Sequence, residues 1–201
     1  GSNLAPPVAE EERHPVLQGL KNFAKENNVW MIVGSVAVTG VDKKIRNRSF
    51  VIDDKGIICG KYDKIHLFDV ELSDSEMYQE SAVVSGGFQA VVTKTPFGLI
   101  GHSICYDLRF PGLYRDLAKA GAEIIMVPAA FTKTTGEAHW HVLNRARAIE
   151  NGAFVVAPCA VGLIDGGGEC FGHSLIVDPW GKVLADGGHE RGVVQNTIDL
   201  D

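Results

Sequence analysis

The sequence predicts a layered α/β fold, because short β-rich runs alternate with segments of helical periodicity. Apolar runs with the length of buried strands include VWMIVGSVAV and EIIMVPAA. Apolar residues recur at helical spacing in HPVLQGLKNFAKENN and AHWHVLNRARAIENG. No segment is repeated along the chain. Strands that interleave with helices indicate sheets covered by helices.

Turn signals predict the connections between strands. A hairpin over IRNRSFVIDDKGIICGKYDK turns at Asp54–Gly56. A second pair of strands surrounds Pro96–Gly98, and a third hairpin turns at Asp178–Gly181, where Trp180 is expected to pack. A short helix ends at Gly121, and Gly166–Gly168 form a loop. In the long second helix, the residues expected to share one face are Trp140, Leu143, Ala146 or Arg147, and Ile149.

Composition favours one globular domain over residues 1–201, with 45% hydrophobic and 22% charged residues. The net charge of −6 and the scattered basic residues argue against nucleic acid or an anionic membrane as partner. The apolar runs are too short for a membrane span, and no secretion signal is found. Four widely spaced cysteines without a C-x-x-C pair fit reduced thiols in a cytoplasmic protein.

Cys105 ends the apolar stretch of GLIGHSICYDLRFP and has two interpretations. A strand that runs into a turn and helix can present a thiol, and nearby N–H groups favour its thiolate. A packed thiol is the alternative, because free cysteine is among the most buried residue types. Cys59 and Cys159 lie in apolar strand patterns and Cys170 follows a loop, so these three are weaker candidates.

A second candidate group lies in KYDKIHLFD, where Lys64 ends a predicted strand. Its ammonium group either reaches solvent or, in a pocket, stabilises a thiolate and a developing oxyanion. Glu80 is either an exposed loop acid or the ion-pair partner of Lys64. His66 is the more obvious base for a cysteine, but a histidine among apolar neighbours is typical of a core.

Metal binding is not predicted. His139 and His141 lie two positions apart on a helix and therefore point to different faces, which makes them a poor ligand pair.

Five segments, in this order, resemble the nitrilase superfamily of carbon–nitrogen hydrolases: GKYDKIHLFD, ICYDLRFP, GAEIIMVPAAF, HWHVLNRARAIENGAFVVAP and GHSLIVDPWGKVLAD. The resemblance runs from about Val16 to Asp199 and is strongest to the Nit branch, whose members are amidases acting on small ω-amides of carboxylic acids. It implies a four-layer α-β-β-α sandwich, a homodimer or higher homo-oligomer, and a small-molecule amide substrate. No metal or organic cofactor is implied.

The resemblance also implies roles for single residues. Cys105 is the nucleophile of a Cys–Glu–Lys triad, and Lys64 is its lysine, held by Glu80. The backbone N–H of Tyr106 joins Lys64 in the oxyanion hole. Arg109 is expected to clamp a substrate carboxylate through its guanidinium group. The implied reaction passes through a cysteine thioester and releases ammonia.

The sequence departs from the family pattern at the catalytic base, a glutamate usually found in a Pro-Glu of an early strand. Glu10, Glu11 and Glu12 are expected to be an exposed acidic run rather than the base. We expect that glutamate, and the family's first strand–helix–strand unit, to lie upstream of Gly1. The alternatives are an N-carbamoyl-amine hydrolase, an aliphatic amidase or a nitrilase. A protein of another class, a non-catalytic binding member, also fits a chain without the base.

Overall fold

The computed structural model describes residues 7–40, 42–73, 76–163 and 168–200. The chain divides into two compact units, Gly1–Gln89 and Ala90–Asp201, and each is described by itself. The single domain over residues 1–201 stays a prediction.

The first unit contains a three-stranded antiparallel sheet in the order β1-β2-β3 and a separate hairpin of β4 and β5. Its elements are a 3-10 helix (Glu11–Arg13), α1 (Pro15–Asn27), β1 (Met31–Thr39), β2 (Ile45–Ile52), β3 (Ile58–Asp63), β4 (Asp69–Ser73), β5 (Glu76–Gln79) and a 3-10 helix (Glu80–Ala82).

Helix α1 begins and ends where the sequence predicts. The buried His14 caps it by accepting the Leu17 N–H at 3.5 Å, and Pro15 supplies a fixed φ at the first helical position. Asn28 ends the helix in the left-handed conformation. The apolar face of α1 packs into a core cluster formed by Leu17, Ala24, Val36, Val38, Phe50 and Ile52.

The predicted hairpin of β2 and β3 is confirmed, and its turn is held by Asp53. The Asp53 carboxylate accepts the N–H groups of Lys55 and Ile57 at 2.9 and 2.8 Å. Gly56 has φ +80°, and a Cβ there would lie 2.5 Å from the Lys21 carbonyl oxygen. Strand β1 was expected to be buried, but most of its residues are half-buried.

The second unit contains a six-stranded sheet in the order β13-β12-β9-β8-β7-β6 and a hairpin of β10 and β11. Its elements are β6 (Val92–Thr95), β7 (Gly98–His102), a 3-10 helix (Cys105–Arg109), α2 (Pro111–Lys119), β8 (Ile124–Met126), α3 (Lys133–Asn151), β9 (Phe154–Ala157), β10 (Val161–Leu163), β11 (Glu169–Phe171), β12 (Leu175–Val177) and β13 (Val183–Asp186).

Strands β7, β8 and β9 are parallel, and helices α2 and α3 connect them. Ile125 and Val155 in the centre of this sheet are fully buried. The strands β6, β12 and β13 are antiparallel to their neighbours. In open α/β sheets, ligands bind outside the carboxyl ends of the parallel strands. Cys105 follows the carboxyl end of β7, so this arrangement puts the candidate thiol at a position suited to ligand binding.

Three expectations in the second unit are wrong. Helix α3 buries Trp140 and Arg147 as expected, and Arg147 donates to the Leu108 carbonyl, but Ile149 is exposed and polar Asn144 is buried. Trp180 is 90% exposed instead of packed. Helix α3 also begins before the expected segment, at Lys133. Residues 166 and 167 of the predicted glycine loop lie outside the described residues.

Candidate active site

Lys64 and Glu80 form a buried ion pair in the first unit. The Lys64 side chain is only 3% exposed and its Nζ donates to Glu80 Oε2. The alternative in which this ammonium group reaches solvent is therefore wrong. Glu80 is also not an exposed loop acid, since its side chain is 17% exposed.

Backbone and side-chain donors fix the position of the Glu80 carboxylate. Oε2 accepts the Phe68 N–H at 2.7 Å, and Oε1 accepts the Asn47 side-chain amide at 3.1 Å. Lys64 is held through its backbone, because its N–H donates to the Asn47 carbonyl at 2.9 Å and its carbonyl accepts the Gly87 N–H at 2.8 Å. The backbone of Lys64 is thus held at both its N–H and its carbonyl, and its ammonium group is oriented by Glu80.

Cys105 lies in the second unit, at the first position of a 3-10 helix. Its φ is +49°, in the left-handed region that non-glycine residues occupy at a cost. The residue is half-buried, so the thiol is neither sealed in the core nor fully exposed. Sharp turns that hold a nucleophile after a strand store this kind of backbone strain.

Contacts on both sides of Cys105 maintain the turn. The Cys105 N–H donates to the Pro128 carbonyl at 2.9 Å, and the buried Asp107 carboxylate accepts the Ile104 N–H at 2.9 Å. Arg147, from α3, donates to the Leu108 carbonyl from Nε at 3.0 Å and from Nη2 at 2.7 Å. Asp107 and Arg147 were not predicted from the sequence as supports of this turn. The sequence features that could have indicated them are a charged residue two positions after the cysteine and an arginine on an otherwise apolar helix face.

Arg109 ends the same 3-10 helix and lies beside aromatic rings. Its guanidinium carbon is 5.9 Å from the centre of the Tyr106 ring and 5.4 Å from that of Phe131. Its Nη atoms approach His139 Nδ1 at 3.4 Å. The Tyr106 backbone N–H lies in the first turn of the helix, next to Cys105.

The other three thiols differ from Cys105 in exposure. Cys159 and Cys170 are buried, and burial raises the pKa of both, to about 11 for Cys159. Cys59 was expected to lie within an apolar strand, but it is exposed, and partial burial of its sulfur raises its pKa. A raised pKa lowers the thiolate fraction at neutral pH.

The acidic run near the N-terminus is only partly exposed. Glu10 and Glu12 are exposed as expected, whereas Glu11 is half-buried. Its carboxylate accepts Arg48 Nη1 at 2.8 Å and Lys61 Nζ at 2.5 Å. Glu11 is therefore held in ion pairs with Arg48 and Lys61 rather than exposed as expected.

The buried His102 is expected to make the folded protein less stable in acid. It is fully buried, its Nε2 lies 2.8 Å from Thr93 Oγ1, and burial lowers its pKa to about 4. The His102 imidazole takes up a proton at a higher pH in the unfolded chain than in the folded protein. The free energy of unfolding is therefore greatest above about pH 6.5, and it falls by about 3 kcal/mol as the pH decreases to about 4. Urea unfolding across this range measures the loss. A His102→Gln variant should have a flatter profile, and an equal slope in both proteins would contradict this role.

A cluster outside the predicted site joins His141, His173 and Asp186 in the second unit. His139 and His141, which their spacing excludes as a ligand pair, do diverge, since His139 approaches Arg109 and His141 bonds to Asp186. The cluster was not predicted from the sequence, because His141 lies 45 positions from Asp186 along the chain.

The fold and the turn at Cys105 define an α/β protein that presents a cysteine at the carboxyl end of a parallel strand. A family model described as carbon-nitrogen hydrolase matches residues 2–201, so the chain belongs to the carbon-nitrogen hydrolase family. The resemblance to the nitrilase superfamily is confirmed.

Curated relatives include amidases of two kinds. The chain is 44% identical to the deaminated glutathione amidase of Dictyostelium discoideum over 88% of this chain and 62% of that protein. It is 36% identical to the omega-amidase NIT2 of Homo sapiens over 100% of this chain and 72% of that protein. The chain thus spans about three fifths of the length of the first of these relatives.

Similar solved structures confirm the α/β class. The C. elegans NitFhit protein has a TM-score of 0.82 at 36% identity, over 89% of this chain and 44% of that chain. Nit3 of Saccharomyces cerevisiae has a TM-score of 0.82 at 31% identity, over 93% of this chain and 66% of that chain. A variant of the amidase from Nesterenkonia sp. AN1, with acrylamide added at its active-site cysteine, has a TM-score of 0.79 at 25% identity. The match covers 92% of this chain and 69% of that chain.

Among the described residues, none of the helices combines the length and apolar character needed to cross a membrane.

Proposed function

We propose that this chain carries the nucleophile of an amidase that hydrolyses a non-peptide carbon–nitrogen bond, with an ω-amide of a small carboxylic acid as substrate. The observation that carries the proposal is Cys105, half-buried and left-handed after β7, in a chain of the carbon-nitrogen hydrolase family. The similarity to amidases of the Nit type supports the substrate class.

In the proposed reaction, the Cys105 sulfur adds to the amide carbon and the carbonyl oxygen gains negative charge. Collapse of this adduct breaks the carbon–nitrogen bond, and the amide nitrogen leaves as ammonia with the thiol proton. Water then attacks the thioester, which gives the carboxylic acid and restores the thiol. Each step conserves its atoms without an oxidant or an added group.

Lys64 and the Tyr106 N–H are proposed to stabilise the oxyanion. The support for Lys64 lies in its burial and in the fixed orientation of its ammonium group by Glu80. A charged donor that is already oriented costs little reorganisation when the oxyanion forms. Glu80 is accordingly proposed as a positioning residue for Lys64. No residue of the described chain is assigned to the base.

Arg109 is proposed to bind the carboxylate of the substrate. It lies four positions after Cys105, and its guanidinium group is stacked near Tyr106 and Phe131. Its contact with His139, at 3.4 Å, is long for a hydrogen bond. A guanidinium group held by aromatic rings retains donors for bidentate binding of a carboxylate.

A second candidate function is hydrolysis of deaminated glutathione, which the 44% identity to a deaminated glutathione amidase favours. The reacting groups are the same in both proposals, and the two substrates differ in the group attached to the amide nitrogen. Homo-oligomerisation and a cytoplasmic location stay predictions.

A substrate panel tests the proposal. The panel contains monoamides of short dicarboxylic acids, deaminated glutathione, a simple aliphatic amide, an N-carbamoyl amine and a nitrile. We expect the highest kcat/KM for a dicarboxylic monoamide, measured as ammonia release, or for deaminated glutathione, measured as its hydrolysis products. An Arg109→Gln variant should raise KM for carboxylate-bearing amides and leave KM for the simple amide unchanged.

The other outcomes contradict the proposal. Preferred cleavage of the N-carbamoyl amine, the simple amide or the nitrile would assign the chain to another branch of the family. Absence of turnover with every compound would favour the non-catalytic alternative. Turnover that persists in a Cys105→Ala variant would exclude Cys105 as the nucleophile.

A further inference from the structure

Four side chains of the second unit form a polar cluster separate from Cys105. Asp186 lies at the end of β13, and its Oδ2 is 3.0 Å from His141 Nε2 of α3. Its Oδ1 and Oδ2 are 2.8 and 3.1 Å from His173 Nδ1, just before β12. His189 approaches the other side of His173, with 3.2 Å between their Nε2 atoms. The proposed amidase reaction uses none of these residues.

The hydrogen bonds of this cluster need one more hydrogen atom than its neutral imidazoles supply. Three contacts lie in a row, from the Phe171 carbonyl to His189 Nδ1 at 3.2 Å, from His189 to His173, and from His173 to Asp186. The carbonyl and an ionised carboxylate only accept, so three hydrogen atoms are needed. Two neutral imidazoles supply two. A further proton or a metal ion must therefore complete the row.

The arrangement of ligand atoms suits a metal ion. One atom each from His141, His173 and Asp186 lies within 4.8 Å of the others. Nitrogen and oxygen ligands about 2.0–2.2 Å from a tetrahedral zinc ion lie about 3.4 Å apart, so small movements bring the observed atoms to these positions. Two imidazoles and one carboxylate are a ligand set for zinc and its neighbours in the transition series.

The backbone holds His173 ready for such a role. Its φ is +54°, a left-handed conformation that is costly for a residue other than glycine. Its carbonyl accepts the Trp140 indole N–H at 2.7 Å, and its N–H donates to the Gly188 carbonyl at 2.6 Å. The Phe171 ring stacks on the imidazole with 4.6 Å between ring centres. These contacts fix the ring that bridges Asp186 and His189.

We infer that His141 Nε2, His173 Nδ1 and the Asp186 carboxylate bind a divalent transition-metal ion of the zinc class. His189 lies outside the ligand set and accepts the His173 Nε2 proton, which orients the ring and leaves Nδ1 free for the metal. The half-exposed positions of His141 and Asp186 leave a path for the ion and a coordination position for water. A metal ion held by three protein ligands and one water molecule can exchange with metal ions in solution.

Titration with Co²⁺ tests this site, because the visible absorption of Co²⁺ reports its geometry. The protein is used without a polyhistidine tag, and its accessible thiols are first alkylated with iodoacetamide so that they bind no metal. We expect saturable absorption of four-coordinate Co²⁺ at one equivalent, and displacement by Zn²⁺. The expected Kd rises by more than about tenfold in His141→Gln and Asp186→Asn, and by about tenfold or more in His189→Gln.

Two further variants separate loss of ligands from loss of folding. His173→Asn removes the imidazole but tolerates the left-handed backbone, so it should fold and lose Co²⁺ binding. His139→Gln, two positions from His141 on the same helix, should bind Co²⁺ as the unmodified sequence does. Zn²⁺ should raise the Tm of the parent protein and not that of His173→Asn. Equal Co²⁺ affinity in the parent and His173→Asn, or no saturable binding by the parent, would overturn the inference.

Discussion

Replacing Cys105 with alanine is expected to reduce amide hydrolysis by about four to six orders of magnitude, because no other group of the proposed site replaces the thiol. Alanine keeps the Cβ, so the variant should retain the fold. The matched control is Cys59→Ala, which removes an exposed thiol and should leave kcat/KM unchanged. Steady-state hydrolysis of the best substrate in the panel measures both.

A Cys105→Gly variant tests whether the left-handed backbone at position 105 is strained. Glycine adopts the φ of +49° without the Cβ penalty, so this variant should be more stable than Cys105→Ala by about 1 kcal/mol and equally inactive. Urea unfolding measures the difference. A Cys105→Gly protein less stable than Cys105→Ala would show that the left-handed turn is not strained.

Lys64→Met is expected to lower the free energy of unfolding by about 3–5 kcal/mol, because it leaves the Glu80 carboxylate buried without its cation. The loss should be smaller in the double variant Lys64→Met/Glu80→Gln, which removes both charges. Lys61→Met, at a position within β3, is the control, since Lys61 is 49% exposed in its pair with Glu11 and its loss should cost about 1 kcal/mol or less. Chemical unfolding of the four proteins provides the comparison.

The activity of these variants separates stabilisation of the fold from catalysis. If Lys64 stabilises the oxyanion, kcat of Lys64→Met falls by about two to three orders of magnitude even where the protein is folded. The double variant, although more stable, should stay inactive. Recovery of activity together with stability in the double variant would limit Lys64 to a structural role.

The elements of the fold could be predicted because local patterns determine them. Apolar periodicity and the residues at each end located α1, and the Asp-Lys-Gly turn located the hairpin of β2 and β3. The errors concern side chains whose environment is set by distant contacts. Ile149 and Trp180 are exposed although they were expected to pack, because burial depends on which other elements cover a residue.

The candidate site was only partly accessible from local sequence. Cys105 and Lys64 each had an ordinary structural interpretation, and the family resemblance decided between the alternatives. The left-handed φ of Cys105 has no signal in the sequence, because cysteine rarely adopts it. Likewise, the ion pair of Lys64 and Glu80 joins residues 16 positions apart, and the histidine–aspartate cluster joins His141 to Asp186, 45 positions away.

The most direct test of the proposed nucleophile is the rate at which iodoacetamide alkylates each cysteine, resolved by peptide mass spectrometry near neutral pH. If exposure alone controlled the rate, Cys59 would react fastest, and buried Cys159 and Cys170, whose pKa values are raised, would react slowly. The proposed site predicts instead that Cys105 reacts at least about tenfold faster than Cys59. A Cys105 rate equal to or below that of Cys59 would contradict the assignment of Cys105 as the nucleophile.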